Sequence, residues 1–132
     1  VFYYTKDGAV GILPGIDFLK KYYEGSIQEA LQIGPTLMRN GQIWLNPKDE
    51  GFTEEKILTL SAARSAVGVL PNRQVVFLTT RSATISQLAE IMKNLGATDA
   101  MNFDGGASSG LYYKGKYITT PGRNIPVTVL VK

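Results

Sequence analysis

The sequence predicts an α+β fold: a mixed or antiparallel β-sheet with several hairpins and one prominent helix packed on it. Three observations carry this. Short apolar runs come in pairs around tight turn signals. Only one stretch, at about residues 84–95, combines a helical apolar period with both a start and a stop signal. The regular alternation of strands with long helices that a doubly wound parallel sheet needs is missing. The 132 residues are enough for one domain with a real hydrophobic core, so the chain reads as a single unit over residues 1–132.

Taken in order, Val1–Tyr4 and Ala9–Leu13 are predicted to form a hairpin turning at Asp7-Gly8. Ile16, Phe18, Leu19, Tyr22 and Tyr23 follow with roughly helical spacing, closed by Gly25. A second helical turn is expected from Ser26, where Glu29 completes a capping-box pattern. Both pieces are read as amphipathic elements packing into the core. Ala30–Met38 reads as a buried strand interrupted by Gly34-Pro35, and Asn40-Gly41 is the strongest hairpin signal in the chain, with Gln42–Leu45 returning. Residues 46–55 are polar and acidic, a loop or flap whose carboxylates are read as solvated. Arg64–Leu70 and Gln74–Thr80 form the next predicted hairpin.

The helix over residues 84–95 has the best-defined ends. Ile85, Leu88, Ala89, Met92 and Leu95 keep to one face, Thr84 is a good N-cap with Gln87 three residues on, and Gly96 suits the position after the C-cap. Ala100–Phe103 then makes a short strand that delivers Asp104 at its carboxyl end. Leu111–Tyr113 and Tyr117–Thr119 form another hairpin, and Val127–Val131 a last strand.

Composition removes several function classes. With no Cys there is no thiolate nucleophile or thiolate metal site, and with no His the commonest general base and zinc ligand are gone. The net charge of +3 is mild, and the Lys and Arg residues form no stripe, so no nucleic-acid partner is expected. No apolar run reaches the length of a membrane-spanning helix.

The stretch that concentrates chemistry is Asn102-Phe103-Asp104-Gly105-Gly106-Ala107-Ser108-Ser109-Gly110. One carboxylate is followed by residues with almost no side-chain bulk, offering two hydroxyls and several unobstructed N–H groups. Such loops cradle anions when successive N–H groups converge. They also serve as plain turns between strands, and the residues alone leave both readings open. Gly106-Ala107-Ser108-Ser109-Gly110 matches G-x-S-x-G literally, but a strand rather than a helix follows it and a Ser-His-Asp triad has no His to use. A phosphate-binding P-loop is excluded, because no Gly-Lys-Ser/Thr follows at the required spacing. Arg64 is the second anomaly: it heads an otherwise apolar strand, where a charged side chain ordinarily sits at the edge in solvent, and a buried Arg there would need an anionic partner.

Asn102-Phe103-Asp104-Gly105-Gly106-Ala107-Ser108-Ser109 resembles the N-x-D-G-G-x-S-S signature of the phosphodiester glycosidases. Ala63-Arg64-Ser65-Ala66-Val67-Gly68 is similar to the family's R-[ST]-A-[IV]-G segment, and Gly34-Pro35-Thr36-Leu37-Met38-Arg39-Asn40-Gly41 to its G-P-x-L-x-[RK]-[DN]-G hairpin. The ending Gly122-Arg123-Asn124-Ile125-Pro126-Val127 matches more loosely. These motifs cover residues 30–132 in the family's order. Residues 1–29 show no such motif, and the family's upstream Asn-Gly-Gly-aromatic segment is not seen, so a second chain or an upstream segment is expected to complete the domain.

The resemblance implies a hydrolase cleaving the bond between an anomeric carbon and a phosphodiester. It makes Asp104 and Arg64 the catalytic residues, carboxylate and phosphate clamp respectively. It makes Asn102, Gly105, Gly106, Ser108, Ser109 and Arg123 the substrate-binding set, with Arg123 the weakest member. The partner is a sugar phosphate or glycan phosphodiester. One carboxylate does not make a metal site, so no metal and no other cofactor is expected. A bacterial, extracytoplasmic or cell-envelope setting is the expectation the family brings. Two other readings stay open: a non-catalytic carbohydrate- or phosphoglycan-binding module, and a structural domain using the loop as an interface turn.

Overall fold

The computed structural model describes residues 1–132. Its centre is a five-stranded sheet in the order β5-β4-β8-β6-β7, every neighbouring pair antiparallel. The strands are β4 (Thr36–Arg39), β5 (Gln42–Ile43), β6 (Ala62–Val69), β7 (Val75–Ala83) and β8 (Asp99–Phe103). β6 and β8 lie inside the sheet and are buried over most of their length, β6 from Arg64 to Val69 and β8 from Ala100 to Asn102. A helix, α3 (Ile85–Asn94), covers one face. Leu88 and Met92 are fully buried there against Leu37, Ala66 and Ala100. Burial of each such side chain stabilises the fold by about 1.5–3 kcal/mol.

The opposite face carries a smaller antiparallel sheet in the order β2-β1-β3, made of β1 (Phe2–Thr5), β2 (Val10–Ile12) and β3 (Ile27–Leu31). Ile12 reaches across to Val67, Val69 and Met101, and the Phe2 ring meets Phe103 edge-on at 6.2 Å between centroids. The sheet is thus sandwiched between a helix and a second sheet. The final hairpin, β9 (Leu111–Tyr113) with β10 (Lys116–Thr119), stands beside β7, fastened by a 2.6 Å hydrogen bond between the Thr79 and Thr119 hydroxyls.

The predicted α+β class, the hairpins and the helix ends agree with this architecture. Thr84 and Gln87 form a reciprocal capping box at the start of α3, and Gly96 follows the C-cap with φ at +82°. Four expectations need correction. Residues from Ser26 do not form a helical turn; they run as β3, because β1 offers a complete ladder from Phe2↔Leu31 to Thr5↔Ile27. The first helix, α1 (Gly15–Tyr23), buries no residue: Ile16, Leu19, Tyr22 and Tyr23 face solvent, and only Phe18 leans on Tyr3. Residues 127–131 form no strand, since no neighbouring strand pairs with their backbone. Ala30–Met38 is not one interrupted buried strand: residues 30–31 end β3 and residues 36–38 lie in β4, in the other sheet. The polar segment before residue 55 is a loop, as expected, and leads into a single helical turn, α2 (Glu55–Leu58).

Candidate active site

The Gly/Ser loop leaves the carboxyl end of β8 and folds back against the start of β6. Gly106–Ser108 form one 3-10 turn, and Gly106 takes φ +60°, a conformation glycine adopts without strain. Gly105 is needed for a different reason. A Cβ added there would meet the Ala63 carbonyl oxygen at 2.8 Å and lie 3.7 Å from the Arg64 Cα. The loop therefore touches β6 backbone to backbone. Gly105→Ala is expected to lift the loop off β6 and lower stability by about 1–3 kcal/mol, measured by thermal unfolding. An unchanged melting temperature would show that the contact is not constraining.

Asp104 is exposed and held from two sides. Its Oδ1 accepts the Gly105 N–H at 2.9 Å, and its Oδ2 accepts from Arg123 Nη2 at 3.2 Å. The same guanidinium donates through Nε to the Ser108 hydroxyl at 2.6 Å. Arg123 thus grips both polar ends of the loop, although it comes from a segment without regular structure. The Gly122 N–H steers it there by donating to the Ala107 carbonyl at 2.8 Å.

Arg64 is only 4% exposed, and no carboxylate lies within 4 Å of it. Arg64 is therefore not a strand-edge charge in solvent, and the anionic partner that a buried Arg needs is not supplied by the protein. Three backbone carbonyls stand in: Nε donates to Ala83 at 3.1 Å, and Nη2 to Lys56 and Leu60, each at 2.8 Å. Carbonyl dipoles solvate the cation without neutralising it, and burial lowers its pKa from the ordinary guanidinium value. Both N–H groups of Nη1 are left without a protein acceptor. A third cation belongs to this neighbourhood, because Lys56 Nζ lies 3.5 Å from where a Gly106 Cβ would sit.

Asn102 does not reach Asp104. It is buried in β8, where its Nδ2 donates to the Gly34 carbonyl and its backbone N–H to the Pro35 carbonyl, both at 2.9 Å. From the other side Glu50 accepts from the Thr36 N–H and hydroxyl, at 2.9 and 2.7 Å. Glu50 is therefore not a solvated flap acid; it fixes the segment on which Asn102 rests. Nothing in the sequence separates it from the other acids of its loop. Ser108 and Ser109 are both buried. The Ser109 hydroxyl, the Ser65 hydroxyl and Asn102 Oδ1 have no hydrogen-bond partner in the protein.

The structure thus brings Asp104, Gly105, Gly106, Ser108 and Arg123 together, with the Arg64 backbone against Gly105 and Asn102 supporting the entry to the loop. A carboxylate paired with Arg123 sits on a loop that packs against the strand carrying the buried Arg64 cation, and the Gly106 and Ala107 N–H groups of that loop have no protein acceptor. That set suits an anion next to a centre of developing positive charge. No cluster of three acids that could hold a metal ion is present.

The family model described as phosphodiester glycosidase matches residues 1–132, including the first 29 residues that carry none of the motifs. Among solved structures, the chain is similar to a hypothetical protein from Synechocystis at 32% identity and a TM-score of 0.59. That match covers 67% of this chain and 18% of the other. It is also similar in fold to the zebrafish N-acetylglucosamine-1-phosphodiester α-N-acetylglucosaminidase catalytic domain, auto-inhibited by its pro-peptide. There the identity is 24%, the TM-score 0.67, and coverage 91% of this chain and 44% of the other. The chain therefore spans less than half the length of either. No curated protein matches the chain.

Proposed function

This chain belongs to the phosphodiester glycosidase family, and from that premise we propose that it hydrolyses a sugar-1-phosphodiester, freeing the sugar and a phosphate monoester. The observation that carries this reading is Arg64: a buried guanidinium with no carboxylate within reach and two N–H donors without a protein acceptor, on a backbone that Gly105 touches. An uncompensated buried charge is costly, and an anionic ligand offsets that cost.

The mechanism follows from the leaving group. Ordinary glycoside hydrolysis needs two carboxylates, one of them an acid to protonate a departing alkoxide. A phosphate monoester departs as a stable anion, so one carboxylate suffices. As the bond between C1 and the phosphate oxygen breaks, its electron pair goes to the phosphate, where Arg64, Arg123 and the uncommitted N–H groups of Gly106 and Ala107 receive the charge. Asp104 faces the anomeric carbon and stabilises the positive charge that develops there. Water completes the reaction: its oxygen bonds to C1, the proton it gives up passes to the Asp104 carboxylate and then to solvent, and its other hydrogen stays on the new anomeric hydroxyl.

Arg123 links the two halves. In the free protein it pairs with Asp104 and Ser108; with substrate bound, the phosphate becomes its stronger partner and the carboxylate is released towards the sugar. The binding-module reading is favoured by one observation, that Asp104 is already engaged by Arg123. The experiment that separates the two follows free-sugar release from a panel of nitrophenyl- and nucleotide-linked sugar-1-phosphodiesters. Release inhibited by inorganic phosphate is the expected result. Binding of a sugar phosphate with no release from any substrate would establish the binding module instead.

A further inference from the structure

Beside the Gly/Ser loop, between β7 and the β9–β10 hairpin, lies a cleft of about 360 Å³, at the small end of ligand sites, which run to roughly 300–1,000 Å³. Thr79 and Thr119 meet where β7 touches the hairpin, Thr80, Arg81 and Thr120 line the space beside that contact, and Gly106 and Ser109 of the loop complete it. None of these positions belongs to the motifs described above except the last two.

Two independent features of this cleft point to a ligand. Of its hydroxyls, those of Thr79 and Thr119 bond each other and that of Thr80 donates to the Ser82 carbonyl, whereas the Ser109 hydroxyl is buried with no protein partner, on a residue only 4% exposed. A buried hydroxyl left unbonded costs free energy that a ligand hydrogen bond recovers. The second feature is charge. The lining contains no Asp or Glu, so the carboxylate acceptors that could take hydrogen bonds from sugar hydroxyls are absent, while Arg81 forms no ion pair.

We propose that this cleft holds the sugar ring of the substrate, and that the sugar carries an anionic substituent, a carboxylate or a second phosphate, paired with Arg81. The proposal rests on the reading of the Gly/Ser loop as the site of the scissile phosphate. The loop then divides the substrate, with the scissile phosphate towards Arg64 and Arg123 and the anionic edge of the sugar towards Arg81. Arg81 would set specificity and take no part in bond breaking.

The test is a titration of the full chain, followed by backbone amide shifts, with four probes: inorganic phosphate, glucose 1-phosphate, glucuronic acid 1-phosphate and glucose 1,6-bisphosphate. Phosphate is expected to move the amides of residues 104–109, with those at Arg64 and Arg123, and to leave residues 79–81 and 119–120 in place. The acidic sugars should also move those of residues 79–81 and 119–120. Whichever of the two carries the fitting anion should bind about fivefold more tightly than glucose 1-phosphate, the worth of one exposed ion pair. Arg81→Gln should erase that preference and leave phosphate binding unchanged. Equal affinity for all three sugar phosphates, or a preference that survives in Arg81→Gln, overturns the proposal. A preference retained without any phosphate effect at residues 104–109 would support the anionic cleft and defeat the phosphate reading of the loop.

Discussion

Asp104→Asn is expected to lower turnover of a sugar-1-phosphodiester by roughly 10²–10⁴-fold, the range typical of losing a positioned catalytic carboxylate. Asn keeps the shape and can still accept the Gly105 N–H through its amide oxygen, but it carries no charge to set against a developing oxocarbenium centre. The fold should be untouched. Asp104 is exposed, its side chain 70% accessible, and its pairing with Arg123 is a surface ion pair of small worth. Thermal unfolding of the variant should therefore match the parent to within about 0.5 kcal/mol. The two readouts together make the result decisive: activity lost with stability kept marks a chemical role. Activity close to wild type would remove Asp104 from the mechanism.

Arg64 gives the second large effect, and on both readouts. Arg64→Met strips three backbone carbonyls of their donor at a buried site, which should cost about 3–5 kcal/mol. For a chain of this length that is a fall of roughly 10–20 °C in Tm. Arg64→Lys is the more informative partner, because it keeps the charge and loses the planar fork. It should retain more stability than the Met variant yet weaken binding of inorganic phosphate by about 1–3 kcal/mol. Phosphate should raise the Tm of the wild-type chain and do so much less in Arg64→Lys. An undiminished phosphate effect in that variant would reduce Arg64 to a strut between α2, β6 and β7.

Local signals in the sequence were sufficient wherever structure is decided locally. The capping box at Thr84 and Gln87, the Asn40-Gly41 turn and the hairpins on either side of the Gly/Ser loop follow from residues within a few positions of one another. They failed where a distant partner decides. Ser26–Glu29 satisfies a helix-start pattern, but β1 supplies a ladder that the isolated pattern cannot register. The apolar run at residues 127–131 has strand composition and no strand beside it. α1 has the periodicity of a buried helix while four of its large apolar residues face solvent. In the site, the motif singled out Asp104 and its glycines, and Arg64 stood out as a charge in an apolar strand. The central position of Arg123 was not legible, because it depends on how an irregular segment folds back on Ala107. Nor was the work of Glu50, one acid among several in its loop.

The strand that delivers Asp104 has a further consequence, for how the protein reaches its native state. β8 lies between β4 and β6, pairing Met38 with Ala100 on one side and Gly68 with Ala100 on the other. The β4–β8 contact joins residues far apart in the chain, and closing such contacts is slow in the millisecond-to-second sense typical of sheets dominated by non-local pairing. Hairpins such as β6–β7 need only their own turns. The Gly/Ser loop, by contrast, has neither its base at Ala63 nor its anchor at Gly34 until β8 is in place. Acquisition of phosphate binding should therefore keep pace with global folding and never run ahead of it. The ligand site is a product of the slowest contacts in the molecule.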